Sequence, residues 1–289
     1  MPDLISQILA LVILASGVAF GYQRWLKPRL STLDLQGRGL VLLIILTLAG
    51  GFIGSFFWWF DLAQSFAWDL PPLASRMLAA AGWSFAALCF LVLEKLSARR
   101  ITLALVVLLV YLAPIVAVVF LFHLDRFDFA ASLTYGFFVI AGGMTIIALY
   151  YLLRPPVIAP HESGESSHPF TKYWFGVLAV MMIVWGLALF ITDNGPSTLI
   201  WVWPGDLLTS RLIATMLFAI AAGSIYAARH SDAANPMLGM TLTYGFSVAL
   251  ANPWSVLANK PIQFSYLIVF GIVGVGSTVL LVLGKRTES

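Results

Sequence analysis

Long apolar runs recur along the whole chain and restrict its possible folds more than any other feature of the sequence. A helix rises about 1.5 Å per residue, so about 20 apolar residues cross the roughly 30 Å hydrocarbon core of a bilayer. Nine runs are long enough, over Leu4–Tyr22, Gly39–Phe60, Leu73–Leu93, Ile101–Phe122, Phe129–Leu153, Tyr173–Thr192, Leu208–Ala228, Met237–Leu257 and Phe264–Gly284. Their continuous apolar character favours helices over the alternating strands of a barrel. The sequence therefore predicts an all-α, polytopic membrane protein with about nine transmembrane helices.

The composition excludes several classes of function. Only 10% of the 289 residues are charged, against roughly 25% in a soluble domain, and the mean hydropathy is +0.95. The net charge of +3 comes from residues in the loops between apolar runs, so we expect no nucleic-acid partner. The single cysteine, Cys89, cannot form an intramolecular disulfide. No histidine pair has the spacing of a haem site, and no HExxH or GxSxG motif occurs, so we predict no cofactor, no metal ligand and no catalytic residue.

The distribution of lysine and arginine predicts an orientation in the membrane. Alternate loops divide these residues twelve to four, and the poorer set holds only Arg76, Arg126, Arg211 and Lys260. Cytoplasmic loops of membrane proteins carry the excess of basic residues. We therefore expect the N-terminus outside and the C-terminus in the cytoplasm, in the inner membrane of a bacterium.

Two stretches of the sequence are nearly the same, WDLPPLASR from Trp68 to Arg76 and WPGDLLTSR from Trp203 to Arg211. The shift that pairs these tryptophans and arginines also pairs Phe129 with Phe264. Four helices per copy return the chain to its starting side, so the copies would share one orientation. We expect a leading helix and basic cytoplasmic loop in residues 1–36, a first four-helix repeat in 37–153, a flexible cytoplasmic linker in 154–171 and a second repeat in 172–289.

The paired arginines are the first candidate site. Arg76 and Arg211 fall in the first turn of helices whose N-termini face outward, where the helix dipole disfavours a cation. A carboxylate, a lipid phosphate or an anionic ligand would offset this, and Asp69 and Asp206 are the nearest acids in the sequence. With Trp68 and Trp203, the arginines form a candidate ligand-binding set. The alternative is that both side chains reach to headgroups or pair with loop aspartates.

The segment HLDRFDF, between the fourth and fifth helices, is the densest polar cluster. His123, Asp125, Arg126 and Asp128 are the types of residue that bind ions or transfer protons. The alternative is an outer turn whose charges cap helices and pair with one another. The linker residues His161, Glu162, Glu165 and His168 are expected to be solvated rather than bound to a metal.

Six of the ten tryptophans fall near the predicted outer boundary, at positions 58, 59, 68, 201, 203 and 254. An aromatic belt at the interface accounts for most of them. The string FFWWF, ending at Phe60, is denser than a belt requires. These aromatic residues could line a groove for an amphipathic ligand such as a lipid, a quinone or an isoprenoid.

The paired Trp-Pro stretches that run into Leu-x-x-Arg, together with HLDRFDF, resemble uncharacterised bacterial multi-pass inner-membrane proteins with a Trp-Pro…Leu-Thr…Arg motif. That resemblance implies the class of protein and no established activity. Three functions stay open from the residues. The first is binding or transport of an amphipathic anionic molecule at the outer leaflet; the second is a non-catalytic subunit of a membrane complex; the third is an enzyme acting on lipids from outside. The expected partners are membrane lipids and possible further membrane subunits.

Overall fold

The computed structural model describes residues 4–62, 66–68, 70–156, 158, 168–192, 206–258 and 262–287, and within these ranges the chain is helical and has no strands. Nine long helical stretches occur there: α1 (Leu4–Gly21), α2 (Leu35–Trp59), α3 (Pro72–Glu94), α4 (Ala98–Phe122), α5 (Ser132–Leu153), α6 (Phe170–Ile191), α7 (Leu207–Arg229), α8 (Ala234–Trp254) and α9 (Phe264–Thr287). Helix α5 contains a π-helical turn over Phe138–Gly142. The prediction of an all-α chain is confirmed for these residues.

Seven of the described helices are long and apolar enough to cross a membrane: α2, α3, α4, α5, α6, α7 and α9. Helices α1 and α8 fall outside this set. Helix α8 is 21 residues long, and it carries two asparagines, at 235 and 252, among its apolar residues. The chain is therefore a multi-pass helical protein of membrane type by length and composition.

Polar side chains fix where several helices begin. The Asp34 carboxylate accepts a hydrogen bond from the Gly37 amide at the start of α2, at 2.7 Å. Ser97 caps α4 in the same way, and Asp206 caps α7 by accepting from the Thr209 amide at 3.0 Å. Helix α3 instead begins at Pro72, whose missing amide hydrogen would have no partner in a first turn.

Helices α3 and α7 are the central helices of the bundle. In their apolar windows 72% and 78% of the residues are buried, against 39% or less in the other five candidate spans. Helix α3 packs mainly against α2 and α8, and α7 packs mainly against α6 and α4. Both helices that carry the paired arginines are thus enclosed by protein.

The chain segments before and after the predicted linker pack reciprocally. Helix α3 of the first segment lies against α8 of the second, and α7 of the second lies against α4 of the first. Within the segments the closest pairs are α2 with α3, α6 with α7 and α8 with α9. The predicted linker, 154–171, lies mostly outside the described residues, so its flexibility stays a prediction.

Candidate functional site at the arginine end

Arg76 and Arg211 lie at the same end of the bundle, where α2, α4, α6 and α8 finish and α3, α5, α7 and α9 begin. We call it the arginine end. Each arginine is the fifth residue of its helix, just beyond the first turn predicted from the sequence. The described residues of the candidate site are brought to this end, but the two arginines have different surroundings.

Arg211 is held between the C-terminal ends of α4 and α6. Its Nη1 donates to Nε2 of His123 at 2.8 Å, and its Nε donates to the Phe190 carbonyl at 3.2 Å. The guanidinium carbon lies 5.4 Å and 5.6 Å from the ring centres of Phe122 and Phe190. Carbonyl groups at helix C-termini and aromatic faces both attract cations.

The unfavourable dipole of α7 is therefore offset at Arg211 by neutral groups. Among the described residues, no carboxylate lies within 4 Å of its guanidinium. Asp206, the nearest acid in the sequence, instead caps α7 and lies 3.6 Å from Nη2 of Arg126. The sequence indicated an anionic partner because it shows the dipole of the arginine's own helix and not the neighbouring helix ends.

His123 is the neutral acceptor of this arrangement. Since Arg211 donates to Nε2, the imidazole proton belongs on Nδ1. Partial burial and the charge of Arg211 lower the pKa of His123 below its ordinary value of 6.5, and Asp125 and Asp206 partly oppose that shift. His123 is therefore an uncharged hydrogen-bond acceptor at neutral pH.

The HLDRFDF segment forms a turn that joins the two chain segments. Arg126 reaches Asp206 of the second segment, as His123 reaches Arg211. Asp128 closes its own turn, since its Oδ1 accepts from the Ala130 amide at 2.8 Å. Asp125 is exposed in a short 3-10 turn and acts on His123 only through its charge. The charges of this turn therefore act on one local backbone amide and on the second segment, and among the described residues they neither cap a helix nor pair with one another.

Trp68 belongs to a packed aromatic cluster and is buried. Its ring lies 4.4 Å from Phe66, 5.4 Å from Phe127 and 5.5 Å from Phe137, measured between ring centres. Its Nε1 donates to Oγ1 of Thr209 at 3.4 Å. Trp68 therefore packs within the first chain segment and contacts the second through Thr209. Its predicted counterpart Trp203 lies outside the described residues, as do Asp69 and Asp193.

Arg76 differs from Arg211 because its guanidinium is incompletely satisfied. The residue is only 7% exposed, and Nη1 donates to the Pro72 carbonyl at 2.6 Å. Its buried Nε has no hydrogen-bond partner among the described residues, and no described carboxylate lies within 4 Å. Asp61, at the turn after α2, acts on it at longer range. A buried donor without an acceptor is costly, so this atom is the most unusual polar group of the site.

A second aromatic cluster joins α2, α3 and α8. Trp83 lies 5.4 Å from Phe56 and 5.2 Å from Trp59, and Trp59 lies 6.0 Å from Trp254. Trp83 was not among the predicted site residues, because the interfacial belt was predicted from tryptophans near helix ends. The signal was present, since Trp83 follows Arg76 by seven residues, which is two helical turns.

The cavity described at the centre of the bundle is too small for a large ligand. A cavity between α3 and α7 is lined by Met77, Leu78, Tyr111, Leu212 and Tyr244, among others, and its volume is about 10 Å³. Such a volume holds one water molecule at most. An amphipathic molecule therefore does not fit in this cavity.

The opposite end of the bundle contains a buried ion pair that the sequence argument missed. Nε of Arg100 lies 3.0 Å from Oδ1 of Asp232, and the hydroxyl of Ser97 donates to Oδ2 of the same carboxylate. Arg100 and Asp232 are 3% and 5% exposed. No local sequence pattern indicates this pair, because its partners are 132 residues apart.

In the part of the chain that the structure describes, no three histidine, cysteine, aspartate or glutamate side chains group as metal ligands would. The linker residues His161, Glu162 and Glu165 lie outside that part. Comparison with protein-family models, with curated proteins and with solved structures found no match. The geometry of the arginine end is therefore the basis for a functional proposal.

Proposed function

We propose that the chain crosses a bacterial inner membrane nine times, as a leading helix followed by two parallel four-helix repeats, with the arginine end outside. The reciprocal packing of α3 with α8 and of α7 with α4 supports the repeat, because equivalent helices would make these two contacts. The positive-inside bias supports the orientation.

We propose further that the protein binds an amphipathic anionic molecule at the outer leaflet through the arginine end. The observation that carries this proposal is the buried Nε of Arg76, which lacks an acceptor among the described residues. Burying a guanidinium with an unmade hydrogen bond destabilises the fold, and an anionic oxygen at that position would offset the loss. The surrounding apolar and aromatic residues favour a ligand with a hydrocarbon part.

The test removes the charges of Arg76 and Arg211. Arg76→Gln/Arg211→Gln protein, purified in detergent, is titrated with dioleoyl phosphatidylglycerol, and bound lipid is counted by native mass spectrometry. We expect wild-type protein to retain this anionic lipid in preference to dioleoyl phosphatidylcholine, and the double variant to lose the preference. Monodispersity and helical content are measured for both proteins, so that a loss of preference caused by misfolding is recognised.

The matched control is Arg154→Gln, which removes one exposed arginine from the opposite end of the bundle. It should keep the wild-type preference. Equal retention of both lipids by wild-type protein, or an unchanged preference in a well-folded double variant, would rule out the proposed function. The subunit and enzyme roles stay predictions of the sequence.

A further inference from the structure

We infer that the anionic molecule binds beside α3, with its headgroup at Arg76 and its hydrocarbon chain along Phe56 and Trp83. We call the surface formed by Arg76, Phe56, Trp59, Trp83 and Trp254 the Arg76 groove. The ligand class is a membrane lipid with an anionic headgroup. This inference rests on the proposed function and assigns it to one of the two arginines.

The groove follows one face of α3. Arg76 and Trp83 are seven residues apart, so they lie on the same side of the helix and about 10 Å apart along its axis. Trp83 is eleven residues after Pro72, about 16 Å along α3 from its start. An interfacial belt does not extend so far into the bilayer. The aromatic surface therefore continues from the arginine end to the depth of a lipid chain.

Residues of three helices form the walls of this groove. Phe56 and Trp59 of α2 contact Trp83 of α3, and Trp254 of α8 contacts Trp59 near the helix ends. Trp59 and Trp83 are half-buried, and Phe56 and Trp254 are exposed at 44% and 36%. The wall is thus accessible from the side of the bundle, where lipid would lie.

The headgroup position is set by charge. The Nε of Arg76 is a buried donor with no acceptor among the described residues, and the N-terminus of α3 adds positive potential. Because Nε is fully buried, a phosphate or carboxylate oxygen would accept from it once the Arg76 side chain turns toward the groove, and would interact favourably with the helix dipole. The only nearby acid that acts on Arg76 among the described residues is Asp61, which is exposed on the turn after α2.

The described residues of the corresponding region in the second segment have different contacts. The shift that pairs the arginines places Phe218 at the position of Trp83 and Phe190 at that of Ser55. Phe190 and Phe218 pack at 5.7 Å, and a Cβ on Gly186 would lie 2.6 Å from the Phe218 ring. The Phe190 carbonyl accepts from Nε of Arg211, and His123 accepts from its Nη1. Of the two arginines, Arg76 has a buried nitrogen without an acceptor among the described residues, and Arg211 does not.

The test uses phosphatidylglycerol whose acyl chains carry bromine, which quenches tryptophan fluorescence on contact. Wild-type protein in detergent is titrated with this lipid, with Arg76→Gln and Trp83→Phe as the test variants. We expect Arg76→Gln to weaken binding at least about tenfold, since a charge-assisted hydrogen bond is lost. Trp83→Phe should bind with little change and lose a distinct part of the quenching.

Three comparisons make the result decisive. Arg76→Lys should recover part of the affinity if Arg76→Gln acts through charge rather than through misfolding. Trp174→Phe, which removes a tryptophan near the opposite end of the bundle, should keep the bound-state quenching of the groove. Inorganic phosphate should not displace the lipid, because it lacks the chain; displacement at equal affinity would overturn the assignment of the chain to Trp83.

Failure of this inference is distinct from failure of the proposed function. If Arg211→Gln abolishes the preference for phosphatidylglycerol and Arg76→Gln leaves it intact, the groove assignment is wrong while binding at the arginine end stands. If the double variant keeps the preference, the proposed function itself is wrong.

Discussion

At the scale of single residues, the arginine end shows how a neutral histidine can accept a hydrogen bond from an arginine. His123 accepts a hydrogen bond from Arg211, and this bond requires an unprotonated Nε2. Protonation would remove the acceptor and place two cations side by side. Arg126 adds to that repulsion, while Asp125 and Asp206 oppose it. We therefore expect the contact between His123 and Arg211, which links the two chain segments, to weaken in acid.

A pH dependence of stability follows from this residue pair. Because the pKa of His123 in the folded protein is lower than 6.5, its contribution is fully present above pH 6.5 and is lost as the pH falls below that value. We expect the melting temperature in detergent to fall between pH 7.5 and pH 5. His123→Gln keeps an acceptor oxygen but does not titrate, so its fall should be smaller by about 2 °C or more. Identical profiles for the two proteins would contradict this account.

At the scale of helices, close approach depends on a few glycines. Helix α8 contacts the backbone of α9 at Gly245, where a Cβ would lie 2.5 Å from the Gly274 nitrogen and 2.7 Å from the Phe270 carbonyl oxygen. Backbone atoms on both sides cannot move aside as a flexible side chain would. Small residues at helix contacts in membranes allow such packing, and here the contact positions Tyr244 and Tyr266 in the core.

Replacement of Gly245 should separate these two helices. Gly245→Ala is expected to destabilise the protein by about 1–3 kcal/mol, the usual cost of overpacking. The measurement is thermal unfolding in detergent. Gly271→Ala is the matched control in α9, since nothing lies within 4 Å of its added Cβ, and it should be neutral or stabilising. Equal effects of the two substitutions would show that the close approach does not limit stability.

At the scale of the whole molecule, polar contacts join the two chain segments at both ends of the bundle. Arg211, Arg126 and Trp68 make these contacts at the arginine end, and the buried pair of Arg100 and Asp232 makes them at the other. A buried ion pair contributes little net stability, but removal of one partner leaves an uncompensated charge. The contact at the Arg100 end should therefore tolerate substitution less well than any exposed pair.

Asp232→Asn is expected to lower stability by about 3–5 kcal/mol, because Arg100 would keep its buried charge and lose the charge of this carboxylate. Thermal unfolding in detergent measures the effect. Glu94→Gln is the control at the same end, because the Arg24–Glu94 pair is exposed and its loss should change stability by less than about 1 kcal/mol. An Asp232→Asn protein as stable as the control would show that Arg100 finds compensation elsewhere.

The sequence predicted the helical class because hydropathy depends on neighbouring residues. It also placed Arg76 and Arg211 near the start of two helices, because each of the two similar stretches leads directly into an apolar run. It did not predict the partners of Arg211, since Phe190 and His123 come from other helices. The sequence argument also missed Asp232, which contacts Arg100 from more than a hundred residues away. Such contacts depend on how helices are arranged around one another, which periodicity does not encode.

The reciprocal packing of the central helices has a consequence for the origin of the chain. Under the proposed duplication, neither repeat alone encloses its own second helix, because α3 needs α8 and α7 needs α4. An ancestor with one repeat would have buried that helix only by pairing with an identical copy in a two-fold symmetric dimer. Fusion of two such genes would then have freed each copy to change independently, leaving one arginine with a buried nitrogen that lacks an acceptor and the other bonded to a histidine and a carbonyl group.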